Sequence, residues 1–159
     1  MSMVDRRPGR ITRAFLRMPV FLYRGGLGRL LGTRFLYLVH EGRTTGRRRD
    51  TVLEVVHLDE RIPEAVVVAA WGRRSDWFRN ITAHPPRDVW VGRHHWARPR
   101  FRLLEPDELV AVLTDYGRHH PRAWRTPAPR LGLDRELTPT TARAAAARFP
   151  AVAFRPASD

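Results

Sequence analysis

The 159-residue chain carries 29 basic and 16 acidic residues, a formal net charge of +13, and no cysteine. Disulfides, thiolate nucleophiles and iron–sulfur clusters are therefore excluded. The length predicts a single domain, and 43% apolar residues suffice for a sizeable core. Every basic residue is arginine and none is lysine. Each cation is thus a rigid fork suited to phosphate or carboxylate, and the chain should attract anions: nucleic acid, acidic lipid or an acidic cofactor.

Residues 1–9 are polar and read as disordered; 10–159 form one domain. Over 10–31, apolar Ile11, Ala14, Phe15, Met18, Phe21 and Leu22 recur at helical spacing among arginines, with a break at Pro19. Such a segment packs on the domain or lies peripherally on an anionic membrane. Its arginines and the lack of a small-residue cleavage site argue against a signal peptide, so a cytoplasmic location is expected. Strands are predicted at 34–40, 50–58 and 64–71, with DERIP (59–63) as a turn. Ser75 reads as the N-cap of a helix over 76–83. A hairpin follows around Gly92-Arg93, with strands over 87–92 and 95–105. In the latter, alternation would place Trp96, Arg98, Arg100 and Arg102 on a solvated face and Phe101 and Leu103 on a core face. A helix begins at Pro106, with Leu109, Val112, Leu113 and Tyr116 on its buried face. Residues 121–137 read as loop. A helix capped by Thr138 and a short strand, AVAFRP, close the chain. The pattern is α+β: a six-stranded antiparallel barrel with peripheral helices.

Several chemistries fail on spacing. GxxxxGK[ST] needs a lysine; GGLGRLLG misplaces its last glycine. The histidines show no zinc spacing, so no metal site is expected. No GxSxG elbow is present. Arginines over 73–102 with Trp71, Trp77, Trp90 and Trp96 would suit nucleic acid, but no recognition motif accompanies them, so specific nucleic-acid binding is not expected.

The stretch VHEGRTTGRRRDTVLEV (39–55) remains. Two strands flank a loop whose glycines expose backbone N–H groups, whose threonines add hydroxyls, and whose Arg43 and Arg49 can fork onto oxyanions.

This loop, with the downstream EAVVVAAWGRRSDWFRNITAHP, resembles the deazaflavin-dependent nitroreductase family of the flavin/deazaflavin oxidoreductases, over about residues 15 to 120. The resemblance implies a split β-barrel that binds coenzyme F420 and passes a hydride to a small electron-poor acceptor such as a quinone, enone or nitro compound. It places Arg43, Thr44, Thr45, Gly46 and Arg49 at the coenzyme's acidic tail. Asp76, Trp77 and Asn80 fall beside the ring, and Val52 and Leu53 on the strand facing it. Trp71 stands near a small hydroxyl residue of the family; Arg73 or Arg74 supplies a cation there. Tyr116, His120 and Trp124 fall in the substrate segment, where Tyr116 or His120 would protonate or position the product. Thr44 departs from a position the family often fills with Lys or Arg, and Val52 from a common Pro. Related barrels bind FMN or haem, some without redox catalysis, and often form homodimers.

Overall fold

The computed structural model describes residue 25 and residues 28–158. The expectations for 1–9, and for 10–31 as a helix able to touch a membrane, fall outside the described residues, except that Gly28–Leu31 is a 3-10 turn. Seven strands follow: β1 (Phe35–Glu41), β2 (Arg48–Asp59), β3 (Glu64–Val68), β4 (Asp88–Val91), β5 (His94–Ala97), β6 (Arg100–Leu103) and β7 (Ala151–Arg155). Four helices accompany them: α1 (Asp76–Ala83), α2 (Pro106–His119), α3 (Pro121–Arg125) and α4 (Pro139–Arg148).

The strands form one antiparallel sheet in the order β5-β4-β1-β2-β3-β7-β6. Its two outermost strands, β5 and β6, are consecutive in the chain and separated only by Arg98 and Pro99. Such a short link forces the sheet to curl until its edges meet, which makes it a split β-barrel. β2 belongs to both halves. Its first part pairs with β1 and its last part with β3, and the register shifts between Val55 and His57 where the barrel turns.

The same corner explains the seventh strand. A single strand over 95–105 cannot pass Arg98, which adopts φ 47°, a left-handed value rare for a residue with a Cβ. The break also resets the alternation. Trp96 is buried in the barrel interior rather than sharing a solvated face with the arginines, and beyond the corner Phe101 packs inward. Trp77 is likewise buried, so these two indoles offer no stacking face to nucleic acid. The stretch 121–137 is not all loop: it holds α3 and a 3-10 turn at Ala128–Leu131.

Helix starts follow local chemistry. α2 opens with a reciprocal capping box between Glu105 and Glu108. Thr138 caps α4 by accepting from the Thr141 amide at 3.1 Å. Two cores result. Inside the barrel, Leu36, Leu38, Val67, Val89, Val91, Val152 and Phe154 meet Trp77, Phe78 and Ile81 of α1. Outside it, Val66, Ala151 and Ala153 meet Leu109 and Leu113 of α2 and Ala142 and Ala145 of α4. Among the described residues no helix is long and apolar enough to cross a membrane.

Candidate functional site

The β1–β2 connection is tight. The Gly42 amide donates to Arg47 O (2.9 Å) and the Gly46 amide to Gly42 O (2.7 Å), with Gly46 at φ 63°. A Cβ on Gly42 would lie 2.8 Å from Thr45 Oγ1, so a larger residue there would have to displace the Thr45 hydroxyl. Thr45 Oγ1 also accepts from the Arg47 amide at 3.3 Å. Thr44 and Thr45 are exposed.

Helix α1 is moored to this turn. Asn80 Oδ1 accepts from the Arg43 amide (3.1 Å) and from Arg43 Nη1 (3.0 Å), while the Arg43 guanidinium donates to Asp76 Oδ1 at 3.2 Å. On its other side, the Asn80 amide nitrogen sits 3.1 Å from His40 Nδ1. Since Asn80 Oδ1 faces donors, its Nδ2 must donate, and His40 Nδ1 must accept. His40 is buried at 3% exposure. Desolvation lowers its pKa to about 4, against smaller opposing effects of the Glu41 backbone, Asp50 and Asp76. The imidazole is therefore neutral at pH 7. Nothing in the motifs pointed to His40; its place in the inward alternation after Leu36 and Leu38 was the available signal.

Among the described residues the side chains of Arg47, Arg48 and Arg49 form no ion pair or hydrogen bond, and all three are exposed. Just before α1, Trp71 Nε1 and Ser75 Oγ are buried without a hydrogen-bond partner among the described residues. Ser75 occupies the N-cap position of α1, but its side chain makes no capping bond. Arg73 and Arg74 are exposed in the 3-10 turn between Trp71 and Ser75.

Period-2 alternation along β2 divides the remaining residues. Leu53 packs on the barrel interior. Val52 lies on the outer face with Tyr37, Val39 and Trp90. Arg49 pairs with inward-facing His40, so Arg49 and Arg48 leave opposite faces of the strand.

Two residues beyond Val52 on its face stands Glu54, at a cavity of about 250 Å³ lined by Arg34, Glu54, Val56, Leu58, Tyr116 and His120, among others. Tyr116 Oη donates to Glu54 Oε1 at 2.6 Å, and the two rings of Tyr116 and His120 are 5.2 Å apart. Burial, then the Glu54 carboxylate, pushes the Tyr116 phenol pKa up. The structure thus brings Tyr116 and His120 together but leaves Trp124 elsewhere. Trp124 is buried in the outer core, its Nε1 donating to Asp134 O at 3.1 Å. Glu54 stands six residues along β2 from Arg48, so the cavity begins about 20 Å from the β1–β2 turn at about 3.3 Å per residue. No group of metal-ligating side chains is present among the described residues.

Comparison with known proteins was made on both sequence and fold. A search of curated proteins returned no match. Among solved structures, an F420-H2-dependent reductase (FDR-A) is 18% identical, covering 77% of this chain and 94% of its own, with a TM-score of 0.50. A protein described as a domain-swapped dimer is 17% identical over 86% of this chain and 99% of its own, with a TM-score of 0.52. These likenesses establish the fold. The family model of the F420H(2)-dependent quinone reductases matches residues 15–109. That match spans more than half of the sequence, including the β1–β2 turn, α1 and all strands but β7, and the chain belongs to the F420H(2)-dependent quinone reductase family.

Proposed function

We propose that this reductase binds coenzyme F420 along the β1–β2 turn and delivers its hydride to the head of a quinone, or of a similarly electron-poor enone or nitro compound, in the Tyr116 cavity. The observation that carries the reading is the surplus of donors. Phosphodiester and carboxylate groups only accept hydrogen bonds, and the turn offers three exposed guanidiniums, those of Arg47, Arg48 and Arg49, that have no partner among the described residues. The residues present therefore fit the coenzyme's acidic tail. When bound, the coenzyme supplies a hydride from its deazaflavin ring.

The chain's own residues divide the remaining work. Arg49 and the Thr44–Gly46 segment hold the tail. Arg43, already bonded to Asn80 and Asp76, keeps the turn seated on α1 and presents a lesser part of its charge. Val52 backs the ring, and α1 and the Leu53 side close the barrel behind it. The cavity is smaller than the range of about 300–1,000 Å³ typical of drug-sized ligands. It suits a compact ring head, whose lipophilic tail would stay outside. Val56 and Leu58 exclude water from one wall, while Tyr116 and His120 orient the reacting oxygen. A homodimer in a cytoplasmic setting belongs to the same proposal.

Fluorescence titration with F420, in parallel with FMN and haem, tests it. Saturation by F420 is expected, and Arg49→Ala should weaken it roughly tenfold to a hundredfold, as one charge-assisted contact of about 1.5–3 kcal/mol would. Absence of F420 saturation with tight binding of FMN or haem refutes the assignment.

A further inference from the structure

Glu54 was not among the motif residues, yet its carboxylate touches Tyr116 of the substrate segment. It stands on β2, 62 residues from Tyr116, and accepts that residue's hydroxyl proton at 2.6 Å. A phenol has a single proton to give. While Glu54 is ionised, that proton points at the carboxylate and away from anything else in the cavity. A carbonyl compound in the cavity could then receive no proton from Tyr116. With a proton on Glu54, the direction reverses: Glu54 donates to Tyr116 Oη, and the Tyr116 O–H is free to face the acceptor.

We propose that Glu54 is the entry point for the proton that completes reduction, passing it through Tyr116 to the acceptor oxygen. This rests on the acceptor reading of the cavity. Hydride delivery brings two electrons and one hydrogen, and leaves the acceptor as an oxyanion. The Tyr116 O–H then breaks as the acceptor O–H forms, and the Glu54 O–H breaks as the Tyr116 O–H forms again. Glu54 ends as a carboxylate and regains a proton from water, which its side chain reaches at 36% exposure. Arg34, before β1, lies 3.5 Å from the Glu54 carboxylate. His57 on β2 and His120 after α2 line the same cavity.

The test is steady-state reduction of menadione by reduced F420 across pH, for wild type, Glu54→Gln, Tyr116→Phe and the double variant, with F420 affinity measured alongside by fluorescence. Each single variant should lose kcat by about 10²-fold, as removal of a general acid does. The double variant should lose no more than the worse single one, because the two residues act as one unit. Glu54→Asp, which keeps a carboxyl group on a shorter stem, should recover part of the kcat that Glu54→Gln loses. F420 affinity should stay within twofold throughout. In the coenzyme-free protein, Glu54→Gln should also bring the ionisation of one of the three tyrosines, followed by ultraviolet absorbance, down toward the ordinary value of about 10. Unchanged kcat in Glu54→Gln, or losses that multiply in the double variant, overturn the proposal. Wild-type protein that binds F420 but leaves menadione unreduced overturns the acceptor reading, and the proposal with it.

Discussion

His40 should make this protein acid-sensitive in a window where its carboxylates do not. In the unfolded chain a histidine titrates near 6.5; folded, His40 titrates near 4 because burial disfavours its charged form. Between these values the unfolded chain binds the proton and the folded one does not. Stability is therefore fully present above pH 6.5 and is lost as pH falls toward 4. At about 1.4 kcal/mol per pKa unit, the loss amounts to about 3 kcal/mol, a large share of a typical total of about 5–15 kcal/mol. The structure adds a local consequence. A protonated Nδ1 can no longer accept from Asn80, so the amide must turn, and its oxygen must leave Arg43. Asp59 and Glu108 also titrate below their ordinary values, Asp59 through the Ile62 and Arg61 amides and Glu108 through Arg102. Their contributions fade only as pH drops from the ordinary carboxylate values toward those lowered ones, at or below the acid end of the His40 window. Urea unfolding at pH 7.5, 6, 5 and 4.5 should show the decline in wild type and a much flatter profile in His40→Gln, whose side-chain oxygen can still accept from Asn80. Parallel profiles for the two proteins would refute the assignment of the window to His40.

Two further outcomes test packing. Gly117 lies in α2 where a Cβ would come within 2.1 Å of Leu137 Cδ2 and 3.0 Å of its Cβ. Gly117→Ala should therefore lose about 1–3 kcal/mol to overpacking, outweighing the gain of about 1 kcal/mol in helix propensity, and lower Tm by a few degrees. A Tm above wild type would show that the approach is loose. Glu64, whose side chain is 13% exposed, accepts from Arg155 and from Arg102 Nη2 at 3.4 Å, tying β3 to β7 and β6. Glu64→Ala should cost about 1–2 kcal/mol in urea unfolding, a value discounted for the partial exposure of both arginines, whereas Arg102→Ala should cost less because Arg155 still holds the carboxylate.

The elements that were legible in the sequence are those set by local rules. Apolar and β-branched runs found β1 to β4, proline and acidic residues found the start of α2, and Thr138 announced α4. The loop and α1 were legible as a pair only through their motif resemblance, and the structure gave that pairing a physical basis in Asn80. What escaped depends on distant parts of the chain. Arg98 takes a left-handed conformation because the two sheet edges must meet there, which no local preference encodes. Helix α3 hid in a proline- and arginine-rich stretch because its helicity depends on Trp124 finding the outer core. Glu54 hid in an apolar strand; its meaning appears only when Tyr116 arrives from α2.

The two-residue corner at Arg98-Pro99 also bears on how the gene can be altered. It is exposed at Arg98 and irregular, the sort of place usually chosen for inserting a tag or relocating the termini. Here it is a poor choice. The corner is the covalent clasp of the sheet, and lengthening it would let β5 and β6, its two edge strands, drift apart and present their outer rows of backbone donors and acceptors to other chains. The β2–β3 turn around Ile62, which joins neighbouring strands already paired along their length, is the safer position for a graft.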